Sequence, residues 1–131
     1  MDNETLVNEQ TVAGSELLAR LKSAGIAVTV AFWAFATEDE RWYFYIASPM
    51  VEAEGLAMAY RKVNIELGRL QNHWIQRNEL RLISNTDPIA QEALEYADGR
   101  FATTYGGRTL GSLIVDGAYI YSTRTGCDCR S

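Results

Sequence analysis

Two neighbouring segments in the first half of the chain alternate their side chains with the two-residue period of a β-strand. In residues 26–36 both alternating sets are apolar apart from Thr29, which indicates a central strand covered on both faces. In residues 42–47 large apolar side chains occupy one face, and Tyr43 and Tyr45 occupy the other. Because only a short charged link separates the two segments, the pattern predicts a β-hairpin.

The amino-terminal part of the chain predicts one short helix. Ser15 is placed to cap a helix over about residues 15–24, and Gly25 follows its last turn, where a glycine favours termination. The preceding residues, 1–14, have only weak periodicity. We expect them to form a loose arm or an extra helical turn.

Two prolines, each preceded by a residue that caps helices, predict the starts of two further helices. Ser48-Pro49 opens a long helix that should run to about residue 71. Asp87-Pro88 opens a shorter helix that should end near Ala97. Between them, the apolar residues of 80–83 predict a short strand.

The carboxyl-terminal part contains the sequence signature of a tight β-hairpin. Two apolar runs flank Asp116-Gly117, a pair typical of the two-residue type I′ turn. We therefore expect Val115 to pair with Ala118 across this turn. The last residues, 123–131, are expected to form a flexible tail.

These elements predict a single α+β domain over residues 1–131, with about five strands in a sheet that is at least partly antiparallel. The expected order is αββαβαββ, with two β-hairpins and three helices packed on the sheet. A length of 131 residues favours one domain and allows a hydrophobic core without disulfides or metal.

Charge and composition narrow the classes of partner. The net charge is −5, which argues against nucleic acid. The first ten residues are acidic and polar, and the longest apolar run, 26–36, is too short to cross a bilayer, so we expect neither a secretory signal nor a membrane span. Both cysteines, Cys127 and Cys129, lie in the last five residues, whereas a disulfide scaffold spreads its cysteines. We therefore expect a cytoplasmic protein.

The residue types that carry catalysis are sparse, and none stands in a recognisable motif. His73 is the only histidine and has no carboxylate at local spacing to orient it. Cys127 and Cys129 supply too few ligands for a structural zinc site. The glycines of 106–111 lead into a strand rather than a helix, and the acidic run 38–40 is typical of a solvated hairpin tip. The sequence predicts no catalytic residue, metal or cofactor.

Aromatic and basic side chains are the best candidates for contact with a ligand or a partner. Two of the predicted strands each carry a pair of tyrosines on one face, and tyrosine combines a large apolar ring with a polar hydroxyl. A locally basic stretch over 61–81 adds further candidates. The candidate contact residues are Tyr43, Tyr45, His73, Trp74, Arg77, Tyr119 and Tyr121.

A second apolar line on the long helix predicts a contact with a further element. Val51, Met58 and Ile65 recur every seven residues, opposite the wider stripe that should pack on the sheet. This line should pack either on the 88–97 helix or on the same helix of a second protomer, and the arginines and lysine beside it favour the protomer. We therefore expect a homo-oligomer, with a dimer favoured, that acts as a non-enzymatic binding or interaction protein. The alternative is a small-molecule-binding protein or enzyme whose aromatic pocket uses Arg or His as its polar group.

Overall fold

A mixed β-sheet with helices on both faces organises the computed structural model, which describes residues 8–38, 40–70, 74–97, 103–105, 109–110 and 113–121. The strands are β1 (Val30–Ala36), β2 (Arg41–Ser48), β3 (Leu80–Ser84), β4 (Thr103–Tyr105), β5 (Thr109–Leu110) and β6 (Leu113–Ile120). The helices are α1 (Asn8–Ser23), α2 (Met50–Glu54), α3 (Leu56–Gly68) and α4 (Pro88–Ala97), and a 3₁₀ turn (Arg77–Glu79) precedes β3. This architecture confirms the predicted α+β class.

The central strand is β1, and its position explains why both of its alternating sets are apolar. The strand order is β3-β2-β1-β6-β4, and β5 pairs with β6 beside that path. Because β1 pairs antiparallel with β2, Val30 lies opposite Ala47 and Ala36 lies opposite Arg41, which confirms the first predicted hairpin. At the edge of the sheet, β3 runs parallel to β2. All seven residues of β1 are buried.

Two separate layers of buried side chains cover the two faces of the sheet. On the first, which we call the α1/α3 face, Trp33 and Phe44 pack with their ring centroids 5.0 Å apart beneath α1 and α3. On the second, which we call the α4 face, Phe32 and Tyr45 stack with centroids 5.0 Å apart and ring planes 7° apart. Removing both layers from water supplies the main favourable free energy of folding.

The first helix, α1, begins at Asn8, seven residues before the predicted start at residue 15. Of the two alternatives for the preceding residues, the helical one is therefore correct for residues 8–14, and the loose arm is wrong there. Where the extra turns meet the sheet, the residues are small. Gly14 is buried, and a Cβ atom there would lie 2.9 Å from Cζ of Tyr121. Since small side chains add little to an apolar pattern, periodicity underestimates the length of this helix. Residues 1–7 lie outside the described part of the chain.

The helix predicted from Pro49 to about residue 71 is two helices, α2 and α3, because Gly55 interrupts it. Gly55 has φ 95° and ψ 153°, a conformation that is strained for any residue with a Cβ atom. Its N–H still donates to the carbonyl of Val51 at 3.1 Å, and its carbonyl accepts the N–H of Ala59 at 3.0 Å. The two helices therefore stay connected through hydrogen bonds at the break.

The prediction of a turn at Asp116-Gly117 is wrong, because both residues lie inside β6. Their neighbours Val115 and Ala118 do not pair with each other; they pair with Ala36 and Ala34 of β1. Two residues of β6 therefore lie opposite one residue of β1, which is the arrangement of a β-bulge. Gly117, with φ 133°, supplies the positive φ at this irregularity.

The predicted hairpin between 113–115 and 118–121 is therefore absent, and a different antiparallel pair lies beside it. The strands β5 and β6 pair with Leu110 opposite Leu113. An Asp-Gly pair fits a bulge as well as a turn, because both need a residue that tolerates positive φ, and the pairing with β1 selects the bulge. The tail predicted over 123–131 lies outside the described residues.

A buried chain of hydrogen bonds joins α1 to the sheet through the hydroxyl of Tyr121. This hydroxyl donates to the carbonyl of Thr11 at 2.7 Å and accepts a hydrogen bond from Nε1 of Trp33 at 3.2 Å. Burial raises the pKa of the Tyr121 hydroxyl above its ordinary value, so the group stays protonated and keeps its donor. The last described residue thus fixes the position of the first described helix.

We expect Tyr121→Phe to destabilise the fold by about 1–3 kcal/mol, because it leaves the buried N–H of Trp33 without an acceptor. Tyr119→Phe is the matched control, since Tyr119 is only half-buried and should change stability by less than about 0.5 kcal/mol. Urea unfolding of both variants measures the difference. Equal stability of the two variants would contradict the role of the Tyr121 hydroxyl.

We expect Gly55→Ala to destabilise the fold by about 1–3 kcal/mol, because alanine resists a φ of 95°. Gly68→Ala is the control on the same helix: Gly68 has ordinary φ and open space around it, so alanine should be neutral or stabilising there. Thermal unfolding followed by circular dichroism compares the two. A gain of stability in Gly55→Ala would show that the break is not required.

Candidate functional site

The two tyrosine pairs lie on opposite faces of the sheet. Tyr43 and Tyr45 belong to the α4 face, whereas Tyr119 and Tyr121 belong to the α1/α3 face. Their side chains therefore do not converge on one pocket, which the sequence could not reveal because it does not fix how β6 pairs with β1.

Three of these tyrosines are occupied in packing within the sheet. Tyr45 stacks on Phe32, and Tyr121 meets the rings of Phe44 and Tyr119 edge-on at centroid distances of 5.8 Å and 5.2 Å. Edge-to-face and offset contacts of this kind stabilise a core, so these rings serve primarily as structure.

Tyr43 differs from the other tyrosines because two arginines approach its ring. The guanidinium carbon of Arg81 lies 4.2 Å from the ring centroid, and that of Arg41 lies 6.0 Å away. Both distances fit cation–π attraction. We call Arg41, Tyr43 and Arg81 the arginine–tyrosine cluster.

Three further candidates lie between α3 and β3, and the structure describes two of them, Trp74 and Arg77. Trp74 is 46% exposed, and Arg77 is exposed at the start of the 3₁₀ turn. His73 lies outside the described residues. Trp74 and Arg77 are therefore both surface positions.

The predicted interface line divides at Gly55. Val51 lies on α2, is half-buried and packs against the core of the α1/α3 face. Met58 and Ile65 lie on α3 and are 38% and 50% exposed. Only these two residues form an exposed apolar line, which we call the outer face of α3.

A cleft of about 420 Å³ borders the outer face of α3, between the α1–β1 connection and α2. Aliphatic side chains form much of its wall, and three charged residues stand among them. Its principal lining residues are Ile26, Met50, Ile65, Glu54, Lys62 and Glu66.

The charged residues of the cleft are paired with one another or with neighbours. Nζ of Lys62 lies 2.7 Å from the carboxylate of Glu54, and the Glu66 carboxylate lies 3.3 Å from Nη1 of Arg69. Glu66 is only 8% exposed although it is charged. Sequence analysis did not single it out, but its spacing of three and seven residues from the buried Val63 and Ala59 places it beside the buried stripe.

The cleft thus combines an aliphatic wall with charged side chains that already have partners. None of the described residues that line this cleft is aromatic, so it is not the aromatic pocket of the alternative interpretation. Within the described residues, no three side chains of His, Cys, Asp or Glu stand close enough together to hold a metal ion. In that same part of the chain, no helix has the length and apolar character needed to span a membrane.

Glu52 of α2 is held in a hydrogen-bonded cluster with the end of β3. Its Oε2 accepts hydrogen bonds from Oγ of Ser84 at 2.7 Å and from Oγ1 of Thr86 at 2.8 Å. These hydrogen bonds lower the pKa of the Glu52 carboxyl, because they favour its charged form. The cluster therefore fastens α2 to the edge strand.

We expect Glu52→Gln to lower the urea midpoint at pH 7 and to have a smaller effect in acid. The folded-state pKa of Glu52 lies below its ordinary 4.5, so the carboxylate stabilises the fold above that pH and loses this effect as the pH falls through the folded pKa. Glu95→Gln, at an exposed position of α4, is the control. A difference between wild type and Glu52→Gln that is independent of pH would contradict the assignment.

No protein-family model, curated protein sequence or solved structure matches this chain.

Proposed function

We propose that this chain is a non-enzymatic interaction protein that acts as a homodimer, with the outer face of α3 at the interface. The observation that carries the proposal is the exposure of Met58 and Ile65, at 38% and 50%, on a helix whose opposite side is buried in the core. Apolar side chains that recur on the solvent side of an amphipathic helix are typical of a surface that is covered by a partner.

The helical geometry supports one continuous contact line. Seven residues of an α-helix turn through about 700°, so Met58 and Ile65 point within about 20° of each other. By the same geometry Arg61 and Lys62 flank the line on its two sides. Apolar residues at the centre with basic residues around them resemble the core and rim of a protein interface.

The charge distribution favours a second copy of the chain as the partner. The whole chain carries −5, but residues 50–69 contain three acidic and three basic side chains. Two copies that meet through this segment therefore bring together neutral surfaces and keep the excess negative charge apart. Residues 1–49, by contrast, contain seven acidic and three basic side chains, so two copies that met through that part of the surface would repel each other more strongly.

The cleft beside Ile65 adds a shape argument for the same partner. A two-fold axis places the same patch of each copy against the other, so both copies contribute an apolar ridge and an apolar recess. Met58 and Ile65 supply the ridge, and the cleft wall of Ile26 and Met50 supplies the recess. The proposal includes a cytoplasmic location, which the absence of cysteine from residues 1–126 supports, because disulfide scaffolds spread their cysteines through the chain.

We expect the double variant Met58→Asp with Ile65→Asp to weaken dimerisation by about 100-fold or more. Each substitution removes an apolar side chain, worth about 1.5–3 kcal/mol when fully buried, from both halves of a symmetric interface. Size-exclusion chromatography with light scattering should give twice the chain mass for wild type and the chain mass for the variant.

Leu56→Asp is the matched control for this experiment. Leu56 is 49% exposed, close to Ile65, but it lies on the other side of α3, so the variant should remain a dimer. A wild-type chain that stays monomeric at high concentration would exclude the proposed function. A double variant that stays dimeric would place the interface elsewhere.

A further inference from the structure

The arginine–tyrosine cluster lies on the α4 face of the sheet at its β3 edge. Arg41 and Tyr43 occupy alternate positions of β2 and therefore point to the same side. The edge strand β3 pairs parallel with β2, and Arg81 lies opposite Tyr45 on that side. Strand register alone thus brings two guanidinium groups to one aromatic ring.

The guanidinium of Arg81 is held in a fixed orientation. Its Nη1 donates to the carbonyls of Asn78 at 3.0 Å and Leu80 at 3.1 Å, while the ring of Tyr43 lies against it. The two remaining nitrogens, Nε and Nη2, carry the parallel N–H bonds that bind two oxygens of one anion. Among the described residues, none accepts a hydrogen bond from these two nitrogens.

Neither arginine forms an ion pair with a carboxylate in the described part of the chain. The ion pairs there join Lys62 to Glu54 and Arg69 to Glu66, and neither Arg41 nor Arg81 has a carboxylate at that distance. In a chain with a net charge of −5, two such cations at one ring form a local positive site.

We propose that the arginine–tyrosine cluster binds the phosphate group of a small phosphorylated ligand. Arg81 donates two parallel hydrogen bonds from Nε and Nη2, and the exposed Arg41 supplies the second positive charge. A phosphate monoester carries close to two negative charges at neutral pH and so matches two guanidinium groups better than a single carboxylate does. The site lies on the face of the sheet opposite α3 and is independent of the proposed dimer.

Titration of ¹⁵N-labelled full-length protein with inorganic phosphate, at constant ionic strength maintained with chloride, tests the proposal. We expect the Nε–H resonance of Arg81 to shift and saturate, because that N–H becomes a donor to phosphate. The Nε–H resonance of Arg61, which is exposed on α3, should not follow the same curve. Acetate, a single negative charge, should bind more weakly than phosphate.

The phosphate affinities of three variants test whether the Arg81 side chain makes the contact. Arg81→Gln should weaken phosphate binding by about tenfold or more, and Arg81→Lys should also weaken it, because lysine keeps the charge but lacks the parallel donors. Arg61→Gln is the control and should bind like wild type. Backbone amide spectra of the variants confirm that each is folded before its affinity is compared.

Each outcome of the phosphate titration either supports or overturns the proposed site. A saturable shift at Arg81 that Arg81→Gln and Arg81→Lys both weaken supports the site. A linear, unsaturated response, or equal affinity in Arg81→Gln and Arg61→Gln, overturns it. An Arg81→Lys variant that binds as tightly as wild type also overturns it, because the fixed parallel donors would then be unnecessary.

Discussion

The burial of β1 on both faces is the constraint on which the rest of the structure depends. A strand with apolar side chains on both sides, such as Phe32 and Trp33, must lie between two other strands and beneath two layers of cover. The chain supplies β2 and β6 as neighbours, α1 and α3 as one layer and α4 as the other. These elements therefore either pair with an edge of β1 or cover one of its two faces.

The two layers meet this requirement with different side chains. On the α1/α3 face, large rings such as Trp33 and Phe44 fill the space beneath two helices, and Tyr121 connects that layer to α1 through hydrogen bonds. On the α4 face, alanines of β1, β6 and α4 share one buried cluster, so a single short helix can approach the sheet closely. Most of the tyrosines that indicated a binding surface instead pack within these two layers.

Because the interior is occupied by packing, the proposed functions lie on the periphery of the fold. The outer face of α3 is available because Gly55 ends α2 and lets α3 present one side to the core and the other to solvent. The arginine–tyrosine cluster exists because β3 is an edge strand, where a charged residue such as Arg81 can lie beside an aromatic ring and still reach water. Both surfaces follow from where elements end rather than from the core itself.

The sequence by itself determined the features that depend on neighbours in the chain: the α+β class, the β1–β2 hairpin, and α4, whose bounds the Asp87-Pro88 signal predicted. Only the tertiary structure decided the features that depend on distant partners. Pairing with β1 turned Asp116-Gly117 into a bulge, contact with Tyr121 extended α1 through Gly14, and the register of β2 with β3 placed Arg81 at Tyr43. Local patterns report a residue's preference, and several conformations satisfy that preference equally. The contacts that choose among them join residues far apart in sequence, so they are set when the sheet assembles.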